Sequence, residues 1–343
     1  MSDAMTGWAP WVLDLDGGVA AQRCWLGAPT TTLDLRAWGP KIRLCCGMGT
    51  FRDFQRDLDA ALADLVAPQS LLGGGLGCAT IQDTPKRTWG CHHGDKQRRH
   101  ATQLIFYGSG DFHHVSLALC RRVRGPFNLL VIDKHPDCMR RLPFLHCGNW
   151  LWHTCRLPNL QKVFHVGGDM DFDNGWRHLL PWREIRQGKI VVIPARRTFE
   201  VGQWKQVPHQ PLRAEGQTPA TPQRISELLR PHLADLAKCP LYISLDKDSM
   251  TAAQAVVNWD SSCLSLAEIL AVLDNFVASA PSVAGMDVVG DWSPPRIDGL
   301  LRRALAAIEH PHDKVDPATA QAVNEATNRA LLEHLRVAWA SCP

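Results

Sequence analysis

The sequence predicts an α/β fold in three layers, with a mostly parallel central sheet flanked by helices. Three observations carry that reading. From Ala101 onward, apolar runs of strand length alternate with polar loops and helix-like stretches, the pattern of a sheet whose crossovers are helices. Leu129 to Ile132 is an unbroken apolar run, as expected of a strand covered on both faces. Several runs end in Asp or His, so these side chains collect outside the carboxyl ends of the strands, where open α/β sheets bind ligands.

In chain order, WVLDLDGGVAAQ from Trp11 reads as extended, with Asp14 and Asp16 in a hairpin turn. Thr50 to Leu65 reads as a core-facing helix, because Phe51, Phe54, Leu58, Leu62 and Leu65 recur at helical spacing among charged residues. Residues 67–101 hold a glycine-rich stretch without a nucleotide-binding order, then a basic stretch with Cys91, His92 and His93. That stretch reads as a solvated loop, the alternative being a basic lip over a site. Further strands are expected at 103–107, 129–133, 162–168, 189–195, 241–246 and 282–290, and a helix-like stretch follows His114. The proline-rich section 207–222 reads as a surface excursion, and 317–339 as a closing helix with Leu331, Leu335 and Trp339 on one face.

At 343 residues and 45% hydrophobic, the chain can bury a full core, and it is read as a single domain. Within it, 1–100 is an N-terminal extension and loop region, 101–300 a core carrying the site, and 301–343 a C-terminal helical segment. A formal charge of +3 does not suggest nucleic acid, and no run approaches a membrane span. The 12 cysteines are scattered and MSDAMTGWAP lacks the features of an export signal, so a cytoplasmic protein with reduced thiols is expected.

The chemistry gathers in three segments. DKHPD places Asp133, His135 and Asp137 at alternate positions after the strand of Leu129 to Ile132. GSGDFHH (108–114) follows QLIFY, and SLDKDSM (244–250) continues LYISL with Asp246 and Asp248. Mixed carboxylate and imidazole donors suit Mn, Fe, Co or Zn, whereas an all-oxygen set would suit Mg or Ca. Apolar alternation through Val115, Leu117 and Leu119 favours His113 over His114 as the ligand, in an extended stretch. Lys247, between two aspartates, is expected to point to the opposite side of its strand.

These segments resemble, in order and spacing, the GGDH, DAHxD and SxDxDxxDP signatures of the ureohydrolases: arginase, agmatinase and formimidoylglutamase. The resemblance covers about Thr102 to Pro295 and points to a divergent arginase-like branch with an arginase/deacetylase-like fold. It implies two divalent ions, manganese first, bridged by Asp133 and Asp246, with His113 and Asp137 completing one and His135 and Asp248 the other. The implied reaction is hydrolysis of a carbon–nitrogen bond of guanidine, amidine or amide type, with a metal-bridging hydroxide as nucleophile. Asp137 would orient that water, His146 would shuttle a proton to the leaving amine, and Asp111 and His114 would support the ligands.

The sequence also departs from the family. Gly290 stands three residues after Asp287, where the family has a substrate-receiving carboxylate, with Asp291 one step further. SLDKDSM lacks the later aspartate and proline, and NWDSSCLSL replaces a glycine- and proline-rich segment. Asn149, Asn258, Asp260 and Asp291 are therefore the candidate substrate contacts, and substrate identity is not implied. The expected partner is a small molecule, with no nucleic acid and no membrane, and the family suggests a homo-oligomer. The alternatives are a noncatalytic binding or regulatory protein with the same fold, and a single-metal deacetylase-like enzyme.

Overall fold

Apolar runs become strands and amphipathic stretches become helices in a computed structural model, which describes residues 10–25, 30–66, 103–140, 142–213, 219–310 and 315–340. The basic stretch with Cys91, His92 and His93 lies outside the described residues. In chain order the strands are β1 (Trp11–Asp14), β2 (Thr31–Asp34), β3 (Cys45–Cys46), β4 (Leu104–Tyr107), β5 (Phe127–Asp133), β6 (Leu145–His146), β7 (Leu160–Gly167), β8 (Ile190–Pro194), β9 (Leu241–Asp246) and β10 (Val283–Val289). Eight of them form one sheet in the order β2-β1-β4-β10-β9-β5-β7-β8, every neighbouring pair parallel.

Both faces of this sheet are covered, which is why its central strands carry no polar alternation. The two-residue period sends Leu129, Val131 and Tyr107 to one side, where they meet Phe51, Phe54, Leu58 and Leu62 of the Met48–Val66 helix. It sends Leu130, Ile132, Ile243 and Leu245 to the other. There they meet Ile269, Val272 and Phe276 of the Leu266–Ser279 helix, and Leu331 and Leu335 of the Pro317–Ala340 helix. Each such side chain contributes about 1.5–3 kcal/mol when fully buried.

Parallel pairing brings all the carboxyl ends to one edge of the sheet, and register brings the three motif segments together there. Ile132 pairs with Leu245 and Val289 with Asp246, so Asp133 and Asp246 emerge at the same level from adjacent strands. β4, which delivers the third segment, lies one strand away beyond β10.

Two local expectations are corrected. β1 and β2 are adjacent but parallel, so LDLDGG is no hairpin. Asp14 instead binds the Gly17 amide (2.8 Å) and Arg36, while Asp16 accepts from the Ser109 amide (3.0 Å) and Ser293 Oγ (2.6 Å). The stretch after His114 is the helix Val115–Cys120, as its helix-like pattern suggests, and not the extended chain assumed in choosing between His113 and His114; a 3-10 turn at Gly110–Phe112 precedes it. It is buried on all sides and apolar but for Ser116, so period-two counting finds no exposed face to set its orientation. The proline-rich section is stitched to the sheet at its near end: Leu212 is buried, and the amides of Leu212 and Arg213 bond Pro194 and Ala195.

Candidate metal centre

The ends of β5 and β9 and the turn after β4 converge on one imidazole. His113 Nδ1 lies 2.8 Å from Asp137 Oδ2, 3.2 Å from Asp133 Oδ2 and 3.3 Å from Asp246 Oδ2. Beside it, His135 Nδ1 lies 2.8 Å from Asp248 Oδ2. Among the described residues, two sets of side chains can each close around one ion, His113 with Asp133 and Asp137, and Asp133 with His135 and Asp248, and Asp133 is common to both. Asp246 lies against the first set through His113 rather than within either.

The structure holds each donor from behind. His113 Nε2 lies 3.0 Å from Ser244 Oγ, which donates to Asp287 Oδ1 at 2.8 Å, leaving Nδ1 to face the carboxylates. Asp287 is fully buried and also accepts from Ser116 Oγ (2.9 Å) and Tyr242 OH (2.8 Å). Asp137 adopts a φ of 47°, in the left-handed region that a non-glycine residue occupies at a cost, and its Oδ2 accepts from Trp150 Nε1 at 2.7 Å. Asp248 accepts from the Lys134 amide (3.1 Å), and Asp246 Oδ1 from the Asp248 amide (3.0 Å).

The electrostatics of the cluster are those of buried carboxylates answered only by imidazoles. Burial and then the neighbouring Asp248 raise the Asp246 pKa well above the usual carboxylate range, and burial and then Asp133 raise Asp248. Burial alone would lower the histidines. Against it, hydrogen bonds to Asp133 and Asp137 hold His113 well above its ordinary value, and Asp248 brings His135 to about 10. Among the described residues, no Lys or Arg side chain pairs with these four aspartates, since Lys134 Nζ bonds the carbonyls of Asp260 and Ser261 and Lys247 Nζ turns to Asp291. A divalent cation with mixed N and O donors fits this set, as it would replace a proton shared among three carboxylates and neutralise their repulsion.

The cluster floors a cavity of about 340 Å3. Its walls are largely apolar, from Met139, Leu142, Phe144, Trp176, Trp259 and Leu305, with His146, Cys147, Asp171 and Glu309 also facing it. His146 is placed by the antiparallel pair of β3 and β6, in which it faces Cys45. Its Nδ1 accepts from the Gly148 amide (2.9 Å), and its Nε2 lies 3.2 Å from Glu309 Oε2.

The other predicted residues have different occupations. Asn149 is buried and closes a capping box with His146, accepting from its amide and donating to the Phe144 carbonyl. Asn258 bonds both the amide and the carbonyl of Ser293, and Asp260 is exposed and outside the cavity. Asp291 is buried against Lys247 Nζ (2.7 Å), with Gln22 and Asn328 completing its bonds. None of these four candidate substrate contacts borders the cavity. Gly290 has φ 105°, and a Cβ there would stand 2.5 Å from Asp246 Oδ1, so no side chain can project from that position. Asp111 touches no ligand: it pairs with buried Arg43 (2.6 Å) and accepts from Trp259 Nε1 and His310 Nε2, fixing the Trp259 wall. His114 packs near Phe51, and burial lowers its pKa to about 3, which keeps it neutral.

Sequence reasoning missed Ser244, Trp150, Arg43 and Glu309. Ser244 was within reach, since it lies two residues before Asp246 on a strand and shares its face. The other three act across the chain, and no local pattern marks them.

No family model matches the chain. A protein of Thermotoga maritima described as uncharacterized is 28% identical over 191 residues, a match covering 56% of this chain and 59% of that protein. Among solved structures, formiminoglutamase from Trypanosoma cruzi, determined with Mn2+, superposes with a TM-score of 0.52 at 11% identity, covering 100% of this chain and 96% of that one. Arginase from Bacillus subtilis gives 0.50 at 11%, covering 96% and 98%. The chain thus has the mostly parallel α/β fold of arginase and formiminoglutamase, with sequences far apart.

Proposed function

We propose that this protein is a dinuclear metal-dependent hydrolase of a carbon–nitrogen bond, acting on a small molecule of guanidine, amidine or amide type. The observation that carries the reading is the convergence of Asp133, His135, Asp137, Asp246 and Asp248 on the floor of a cavity of substrate size, with His113 against them and, among the described residues, no Lys or Arg paired with the aspartates. Arginase and formiminoglutamase, with the same fold, supply the reaction class.

His113, Asp137, Asp133 and Asp246 would hold one divalent ion, and His135, Asp248 and the shared aspartates the second, with manganese the first choice. When bound, such ions lower the pKa of water toward neutrality and so supply a nucleophile at physiological pH. The remaining work belongs to the chain. Asp137, locked by Trp150, offers a carboxylate to orient that water. His146 keeps Nδ1 occupied by the Gly148 amide, so Nε2 is the nitrogen through which it would exchange protons with the cavity, taking one from the attacking water and passing it to the leaving amine. The apolar walls exclude competing water.

The test is a hydrolysis screen of manganese-loaded protein against guanidines, amidines and amides, following release of urea, ammonia or amine. Turnover is expected in at least one class. His146→Gln should lower kcat by about 10²–10⁴ with metal content unchanged. Metal-loaded protein inert toward all three classes would leave the fold as a binding scaffold.

A further inference from the structure

We propose that Glu309 is the residue that recognises the substrate, and that the substrate is a guanidinium or amidinium carried on an apolar body rather than an amino acid. The inference rests on the hydrolase reading for where the scissile bond lies, but binding itself does not depend on turnover.

Among the described residues, two carboxylates outside the metal cage face the cavity, Asp171 and Glu309. Asp171 sits in a turn at φ 61° and already accepts from Asn174. Glu309 ends the Leu300–Glu309 helix, and its Oε2 is buried and engages in no aligned hydrogen bond, with His146 Nε2 3.2 Å away. Among the described residues, Glu309 Oε2 meets one group of the protein there, His146 Nε2, at 3.2 Å without hydrogen-bond alignment, so the carboxylate can accept from a multi-donor cation. The neighbouring positions do not compete, because Gly290 has no room for a side chain and Asp291 is neutralised by Lys247.

The rest of the cavity specifies what the cation is attached to. Met139, Leu142, Phe144, Trp176 and Leu305 form an apolar wall, and among the described residues no Lys or Arg lines it. Among these residues a substrate carboxylate would meet no cationic side chain, whereas an alkyl or aryl body gains from burial. Glu309 at one end and apolar walls around the remainder therefore select a cationic head with a greasy tail.

The test is calorimetric titration of the manganese-loaded full chain with n-pentylguanidinium, with its neutral isostere n-pentylurea and with arginine, in the wild type and in Glu309→Gln, Glu309→Asp and Asp171→Asn, with metal content measured on each sample. n-Pentylguanidinium should bind at least about tenfold more tightly than n-pentylurea or arginine. Glu309→Gln should erase the preference over the urea, Glu309→Asp should retain part of it, and Asp171→Asn should change it least. An unchanged preference in Glu309→Gln, tighter binding of arginine, or no guanidinium binding by protein that holds its metal would overturn the proposal while leaving the hydrolase reading standing for amides. Loss of the preference in Glu309→Gln without any bound metal would support the recognition role and count against the hydrolase.

Discussion

β9 and β10 lie side by side, and each delivers two buried aspartates near its carboxyl end, yet the two pairs meet opposite fates. Asp287 and Asp291 are fully answered by the protein: the first accepts from hydroxyls of Ser116, Tyr242 and Ser244, and the second is paired with Lys247 and bonded by Gln22. Asp246 and Asp248 face Asp133, Asp137 and two histidines, and burial together with neighbouring carboxylates raises their pKa. A buried carboxylate with its bonds made is architecture, and one left among like charges is a demand for a cation. The difference separates the site from its scaffold more sharply than residue type does.

Removing an answered charge should be the costliest change. Lys247→Met leaves Asp291 buried and unpaired, and denaturant unfolding of the metal-free protein should show a loss of about 3–5 kcal/mol. Lys247→Met with Asp291→Leu should recover most of it. A loss below about 1 kcal/mol would mean that the pair is not holding the end of β10.

Gly290→Ala sits between the two pairs. The strained φ and the 2.5 Å approach to Asp246 should cost about 1–3 kcal/mol and weaken metal binding together, because the displaced group belongs to the cage. Trp150→Phe should separate the two effects. It removes one bond to Asp137, so manganese affinity by titration should fall about 10–100-fold while stability changes by about 1 kcal/mol.

The smallest effect is on pH dependence, and its sign is fixed. His135 rises from an ordinary 6.5 to about 10 in the folded protein, so its contribution is complete below about 6.5 and is lost as pH rises through about 10. The raised pKa values of Asp246 and Asp248 act in the same direction, since their ionisation in the fold is disfavoured as pH climbs above the usual carboxylate range. The chelated protein should melt at lower temperature at pH 9 than at pH 6.5. Manganese should reverse the trend, because metal competes with protons for these ligands. Parallel melting profiles with and without manganese would contradict the account.

The same contrast explains what the sequence discloses. Asp133, His135, Asp246 and Asp248 are legible because strand direction and a run of apolar residues place them at a known edge of a known kind of sheet. The three-layer fold is legible for the same reason. His113 is legible as a residue, although the buried helix after it defeats the period-two argument for its orientation. The partners that decide function outside the cage are not legible, because they join distant segments: Lys247 with Asn328, Trp150 with Asp137 across a loop, and His146 with Glu309. Asn149, Asn258, Asp260 and Asp291 look like site residues because they are polar and lie near the motifs in sequence. Their hydrogen bonds or exposure place them elsewhere.

The central claim is the paired metal site, and the direct measurement is the metal content of purified protein after incubation with manganese, beside Asp133→Ala and Asp246→Ala. The account predicts about two ions per chain in the wild type, lost in both variants. One ion that survives Asp246→Ala, or no bound metal under any metal tested, would contradict it.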